Sequence, residues 1–347
     1  MKLSILDQSP VPVGSNSREA LEFTVTLAQE AEKLGYTRFW VSEHHDTRAL
    51  AGSTPEILVA HIAAKTKTIR VGTGGIMLPH YSAYKVSEVA RMLEALYPNR
   101  IDIGLGRAPG GMPRATLALQ EGRKKRVNYE QQIDDLIAYI TDTVPKDHRF
   151  PGLKTTPLID TVPEVWLLGS TYGSAAIAAQ KGTAFSFAHF INGDGGEDSM
   201  RLYRERFQPS LLYDKPKTSV AVFVFCAETD EEADLIASSL DLSLLFATTG
   251  QKSPGIPSIE QAQSYEYNSY ERKFIQENRK RMIVGSPQTV KKQIEALAAA
   301  YDADEVIVVT NAHQYEHRLE SFRLLAEAFQ LQQKKMKRGD DNEEKNI

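Results

Sequence analysis

A chain of 347 residues with 41% hydrophobic and 25% charged residues has the makings of a soluble fold with a core of ordinary size. Its net charge of -4 offers no basic field to nucleic acid, and its single cysteine, Cys226, excludes an internal disulfide framework and fits a reducing compartment. No apolar run approaches the roughly 20 residues a membrane helix needs. The first residues are too soon broken by Asp7 and Pro10 for a signal peptide, so the protein is read as cytoplasmic.

Along the chain, short apolar runs alternate with segments of helical spacing. Residues 3–7 read as a strand. Residues 18–34 carry Leu21, Val25, Leu27, Ala28, Ala31 and Leu34 on one helical face and stop at Gly35. A strand at 39–41 precedes a helix at 55–67, which has Pro55 in its first turn and Thr54 as its cap. Further strands are expected at 69–77, 101–105, 165–168, 184–187, 219–226 and 305–309. Further helices are expected at 83–97, 123–141, 174–181, 197–211, 231–245, 287–300 and 315–329.

Eight strands, each followed by a helix, argue for parallel strands joined by crossovers. Such units close into a barrel or spread into a doubly wound sheet. The count of eight, and the lack of a glycine-rich dinucleotide fingerprint after the first strand, favour an α/β (β/α)8 TIM barrel. Residues 145–163 read as a loop excursion. Residues 248–277, a long insertion between the seventh and eighth strands, read as a functional lid or a disordered loop. The domain reading is a single barrel over 1–330 and a polar, disordered tail over 331–347.

In a barrel the chemistry gathers at the C-terminal ends of the strands. After the second strand stands Ser42-Glu43-His44-His45-Asp46, where a histidine could serve as acid or base near neutral pH. A loop with satisfied hydrogen bonds is the bland alternative for any one of these residues. A metal site is disfavoured, because consecutive strand residues point to opposite sides and no second ligand cluster occurs. After the third strand, Gly74-Gly75 would let a flat ring lie against backbone, or would merely turn a barrel corner. After the fourth, Arg107 stands among glycines as an anchor for phosphate or carboxylate. After the fifth, Ser170, Thr171 and Ser174 lead into a helix, either as an anion site or as an ordinary cap. Trp40, Tyr81 and Cys226 are read as structural.

Taken together, Ser42-Glu43-His44-His45, Gly72-Thr73-Gly74-Gly75-Ile76-Met77-Leu78-Pro79, the run from Arg100 to Arg107, and Leu168-Gly169-Ser170 resemble, in order and spacing, the landmarks of the bacterial luciferase-like flavin monooxygenases. Ile283-Val284-Gly285-Ser286-Pro287 and the strand at 305–309 continue the likeness, which spans residues 1–330.

The resemblance implies a (β/α)8 barrel that binds FMN, taken up in reduced form from a separate flavin reductase. Oxygen would form a flavin hydroperoxide that oxidises a small substrate such as an aldehyde. By position, His44 would be the catalytic acid/base and Glu43 would line the site. Gly74 and Gly75 would form a non-proline cis peptide under the isoalloxazine ring. Arg107, Thr171 and Ser174 would hold the phosphate, with Ser170 beside them. A homodimer through helices of the first half is also implied.

Gly106 stands where the light-emitting enzymes have a reactive cysteine, and residues 248–277 are unlike the luciferase loop. Both departures argue against bioluminescence. A deazaflavin-dependent oxidoreductase, a non-catalytic flavin-binding paralogue and, last, a metal hydrolase are the competing readings.

Overall fold

The computed structural model describes residues 1–123, 128–251 and 253–332. Its centre is a parallel sheet of nine strands among the described residues, eight of which close into a ring. These are β1 (Lys2–Asp7), β2 (Arg38–Val41), β3 (Arg70–Met77), β4 (Ile101–Gly106), β5 (Glu164–Gly169), β6 (Ala184–Ala188), β7 (Thr218–Cys226), β8 (Met282–Gly285) and β9 (Glu305–Val309). Pairing runs β6-β5-β4-β3-β2-β1-β9-β7 and closes through β6 and β7. This is the eight-stranded TIM barrel expected.

The ninth strand, β8, is an addition that the sequence reading missed. β7 is long enough to have two neighbours on one edge. Its lower half pairs with β9, Ser219 opposite Glu305 through Phe223 opposite Val309. Its upper half pairs with β8, Phe223 opposite Met282 through Cys226 opposite Gly285.

Helices fill the crossovers. The first are α1 (Ser17–Leu34), α2 (Pro55–Lys65), α3 (Ala83–Leu96), α4 (Pro113–Leu119), α5 (Tyr129–Ile140) and α6 (Tyr172–Lys181). They are followed by α7 (Gly196–Arg206), α8 (Asp230–Thr249), α9 (Ile259–Ser264), α10 (Ser269–Arg279), α11 (Pro287–Ala300) and α12 (Tyr315–Ala328). The helix expected over 123–141 is corrected. A separate short helix, α4, precedes it, and α5 starts only at Tyr129, where the Asn128 side chain caps it by accepting from the Gln131 N–H. Residues 124–127 and the expected tail from 333 onward lie outside the described residues.

The insertion after α8 is not a bare loop: it holds α9 and α10. Its first stretch is tied to the loop after β1. The Ile256 N–H donates to the Val11 carbonyl at 2.7 Å, and the Val13 N–H returns to the Ile256 carbonyl at 2.9 Å. Ile256 is buried, and behind it Leu242, Leu245 and Ala262 form a small core of their own.

Alternation along each strand separates two cores. Ile5, Phe39, Val71, Ile101 and Ile103 face the helices, whereas Leu6, Trp40, Trp166, Ala184, Ala221 and Ile307 pack inside the ring. The interior is layered. At the N-terminal end of the strands the buried Arg38 guanidinium donates to Asp102 at 2.6 Å and to Glu305 at 2.7 Å. Burial alone would raise the Glu164 carboxyl; Arg38, Arg70 and Lys217 overcome it and hold the group at about 2. Above this charged layer Trp40 and Trp166 meet edge to face at 5.4 Å. The Trp40 indole N–H is satisfied by Asp102 at 2.9 Å. No helix among the described residues is long and apolar enough to cross a membrane.

Candidate active site

Above the tryptophans the ring opens into a cavity of about 350 Å3 at the C-terminal ends of the strands. All eight residues singled out from the sequence line it: Glu43, His44, Gly74, Gly75, Arg107, Ser170, Thr171 and Ser174. They come from β2, β3, β4 and β5 and the loops that follow, so only ring closure brings them together.

At Gly74 and Gly75 the floor presents backbone without side chains. The Gly74-Gly75 peptide is cis. A Cβ on Gly75 would stand 2.7 Å from both the Gly104 carbonyl oxygen and Leu168 Cδ1, so only glycine fits there. Leu6, Trp40, Leu168, Ala221 and Ile307 complete an apolar base, with Phe190 and Ile191 on one wall.

Glu43 is buried and fully engaged. Its Oε1 accepts from the Tyr81 hydroxyl at 2.9 Å and from His45 Nε2 at 2.7 Å, and its Oε2 accepts from the Met77 N–H at 2.9 Å. Burial, then the Glu43 charge, raises the Tyr81 phenol above its usual range. Tyr81 is therefore more than structural packing: it holds the carboxylate that organises this strand end.

His44 stands alone beside this network. Its backbone N–H donates to the Gly52 carbonyl at 2.7 Å. Its Nδ1 lies 3.0 Å from Ser42 Oγ, and its Nε2 has no hydrogen-bond partner among the described residues. Burial, with a smaller push from His45, lowers the imidazole to about 4, so the ring is neutral at pH 7.

At the other rim, Thr171 caps α6. Its Oγ1 accepts from the Ser174 N–H at 3.3 Å, and the Ser174 hydroxyl donates to the Thr171 carbonyl at 2.6 Å. The cap reading of this segment is observed: the hydroxyls form a capping box, and the same residues line the cavity. Gly169 is what allows it, because a Cβ there would fall 2.2 Å from Ser174 Oγ. Arg107 is exposed, and its guanidinium has no ion-pair partner among the described residues. Among those residues, no group of three or more His, Cys, Asp or Glu side chains is arranged to hold a metal.

The sequence reading passed over Gln8, Ser42 and Phe190 as separate candidates, although all three stand at or just beyond strand ends and line the cavity. The rule that found the others, applied to the first and sixth strands, points to Gln8 and Phe190 as well; Ser42 stood within the cluster after the second strand.

A closed (β/α)8 barrel, with its strand-end residues turned into one apolar cavity that has a polar, cationic rim, has the layout of a barrel enzyme with its site at the C-terminal face. The pattern of the luciferase-like monooxygenases (Bac_luciferase) matches residues 1–304, and the chain belongs to that family.

Among its relatives, YwcH of Bacillus subtilis (strain 168) is 55% identical over 330 residues, covering 95% of this chain and 99% of YwcH. The N-acetyl-S-alkylcysteine monooxygenase of the same organism is 38% identical, covering 94% of this chain and 98% of that protein. The crystal structure of apo-MsnO8 superposes with a TM-score of 0.84 at 37% identity, covering 95% of this chain and 98% of the other.

Two structures share the fold at low identity. The oxygenating constituent of 3,6-diketocamphane monooxygenase from Pseudomonas putida, in complex with FMN, gives a TM-score of 0.67 at 19% identity, with 94% and 97% of the two chains covered. An F420-dependent secondary alcohol dehydrogenase gives 0.65 at 13%, with 94% and 98% covered.

Proposed function

We propose that the protein is an FMN-dependent monooxygenase, which takes reduced FMN from a separate flavin reductase and uses O2 to oxidise a small organic substrate. The observation that carries this reading is the cavity in which the Gly74–Gly75 stretch of the floor meets, at the rim, a helix N-terminus and an arginine with no ion-pair partner among the described residues. A flat apolar ring fits the floor, and a phosphate suits Arg107 with the start of α6.

Bound there, reduced FMN supplies two electrons; one oxygen atom goes to the substrate and the other leaves as water. The chain's own part is to hold and shield. Gly74 and Gly75 give the ring a bed, and Arg107, Ser170, Thr171 and Ser174 anchor the phosphate end. Leu6, Trp40 and Phe190 exclude water, and His44 presents a neutral imidazole to the reacting oxygen.

The apolar wall suits a small, weakly polar substrate. An aldehyde follows from the family, and a thioether follows from the name of the 38% identical relative. We read exposed Ile57 and Met92, on α2 and α3, as part of a homodimer face, and we propose that the enzyme works in the cytoplasm beside a flavin reductase.

The test is anaerobic titration with reduced FMN, followed by oxygen and a panel of aldehydes and thioethers. Binding of reduced FMN with oxygen-dependent product is the expected result. No affinity for FMN in either redox state, or turnover of reduced deazaflavin under nitrogen, would overturn the reading.

A further inference from the structure

Ser42 lies at the end of β2 and lines the cavity two residues before His44. Its side chain is nearly closed off, with 4% of the residue exposed. Its Oγ has one hydrogen-bond partner among the described residues, His44 Nδ1, at 3.0 Å.

Two arrangements of that contact are conceivable, and they give His44 opposite roles. If Nδ1–H donates to Oγ, the serine hydrogen has no protein acceptor among the described residues, and Nε2 offers a lone pair to the cavity. If the hydroxyl donates to the Nδ1 lone pair, every group in the contact is satisfied. A neutral ring must then carry its proton on Nε2, the nitrogen left without a protein partner. His44 is neutral near pH 7, so the choice lies between these two tautomers.

We infer that Ser42 is a positioning residue that fixes His44 in the Nε2–H tautomer, making His44 a hydrogen-bond donor to the oxygen being transferred rather than a general base. The catalytic part of this inference rests on the proposed monooxygenase reading; the tautomer does not. The backbone supports the lock, because the His44 N–H is held by the Gly52 carbonyl at 2.7 Å and a Cβ at Gly52 would lie 2.9 Å from the Ser42 carbonyl oxygen. The strand end therefore has little room to swing His44 away from Ser42. Neighbouring Glu43 does not compete for the His44 ring, since its carboxylate is occupied by Tyr81, His45 and the Met77 amide.

The experiment is a two-bond proton–nitrogen spectrum of the intact protein labelled with 15N-histidine, at pH 7, with His44→Asn to assign the His44 signals. An unprotonated Nδ1 and a protonated Nε2 are expected in the wild type. Ser42→Ala should relax His44 toward a mixture of tautomers, and Ser42→Thr, which keeps the hydroxyl, should restore the lock. In turnover, Ser42→Ala should lower kcat by about 10- to 100-fold with KM for the substrate unchanged, and Ser42→Thr should recover most of it.

A wild-type His44 protonated on Nδ1 overturns the inference. So does a Ser42→Ala protein with unaltered His44 shifts. Failure of reduced FMN to bind, with the tautomer as assigned, overturns the function reading and leaves the Ser42–His44 arrangement standing.

Discussion

Arg107 and His44 divide the work of the cavity, and variants should separate them. Arg107→Ala should weaken FMN about 10- to 100-fold, in line with the ~1.5–3 kcal/mol of a charged hydrogen bond, and leave riboflavin, which lacks the phosphate, unaffected. Paired binding titrations check this, and an equal loss for both flavins would remove Arg107 from the phosphate site. His44→Ala should instead leave FMN affinity in place and lower kcat about 100-fold, measured as the rate of product formation at saturating substrate.

The lowered His44 value also couples to stability. In the unfolded chain the ring titrates near 6.5 and in the fold at about 4, so between these pH values the unfolded state holds more protons. The contribution is complete above about 6.5 and drains away as pH falls toward 4. Burial is the main cause, and His45 adds to the depression. Thermal midpoints from pH 7.5 to 4.5 should fall more steeply for wild type than for His44→Gln; parallel curves would show that His44 does not carry the effect.

Among the elements, the insertion between β7 and the last barrel strand is strapped to the loop after β1. Its strap is the pair of backbone hydrogen bonds between Ile256 and the Val11–Val13 stretch, and Gly255 permits the approach. A Cβ at Gly255 would lie 2.5 Å from the Val11 carbonyl oxygen, a backbone atom with nowhere to go. Gly255→Val should therefore speed hydrogen exchange at the Val13 and Ile256 amides while the barrel strands keep their protection. Unchanged exchange at those two amides would show that the strap yields without breaking.

How far these elements were legible in the sequence follows from how local each signal is. The eight barrel strands were legible because each is an apolar run bounded by polar or glycine residues. β8 was not: four residues between two helices look like part of either, and its partner is the upper half of a strand some 60 positions away. The capped start of α5 was overrun because Arg123 and the basic residues after it read as helix formers. The site itself was largely legible, since a barrel places strand ends in one ring whatever their distance in the chain. Its wiring was not. Tyr81 reaches Glu43 across 38 positions, and no spacing rule announces that contact. The Ser42–His44 distance likewise exists only once the strand end is bent into place.

For the whole molecule, the charged layer at the foot of the barrel is a fixed load on the fold. Arg38 touches Asp102, Glu164 and Glu305, and Arg70 and Lys217 join the same carboxylates. Removing one partner strands the others in a buried place. Arg38→Met should cost about 3–5 kcal/mol, read as a lower urea midpoint with the slope unchanged. A loss under ~1 kcal/mol would mean that water reaches the layer.

This foot also governs traffic. With charge packed below and two tryptophans above it, a polar molecule in the cavity has no downward exit among the described residues. Substrate must enter, and product leave, by the same opening at the C-terminal ends of the strands. One doorway imposes a queue: the oxidised product has to clear before the next substrate can settle, so product should inhibit competitively against substrate.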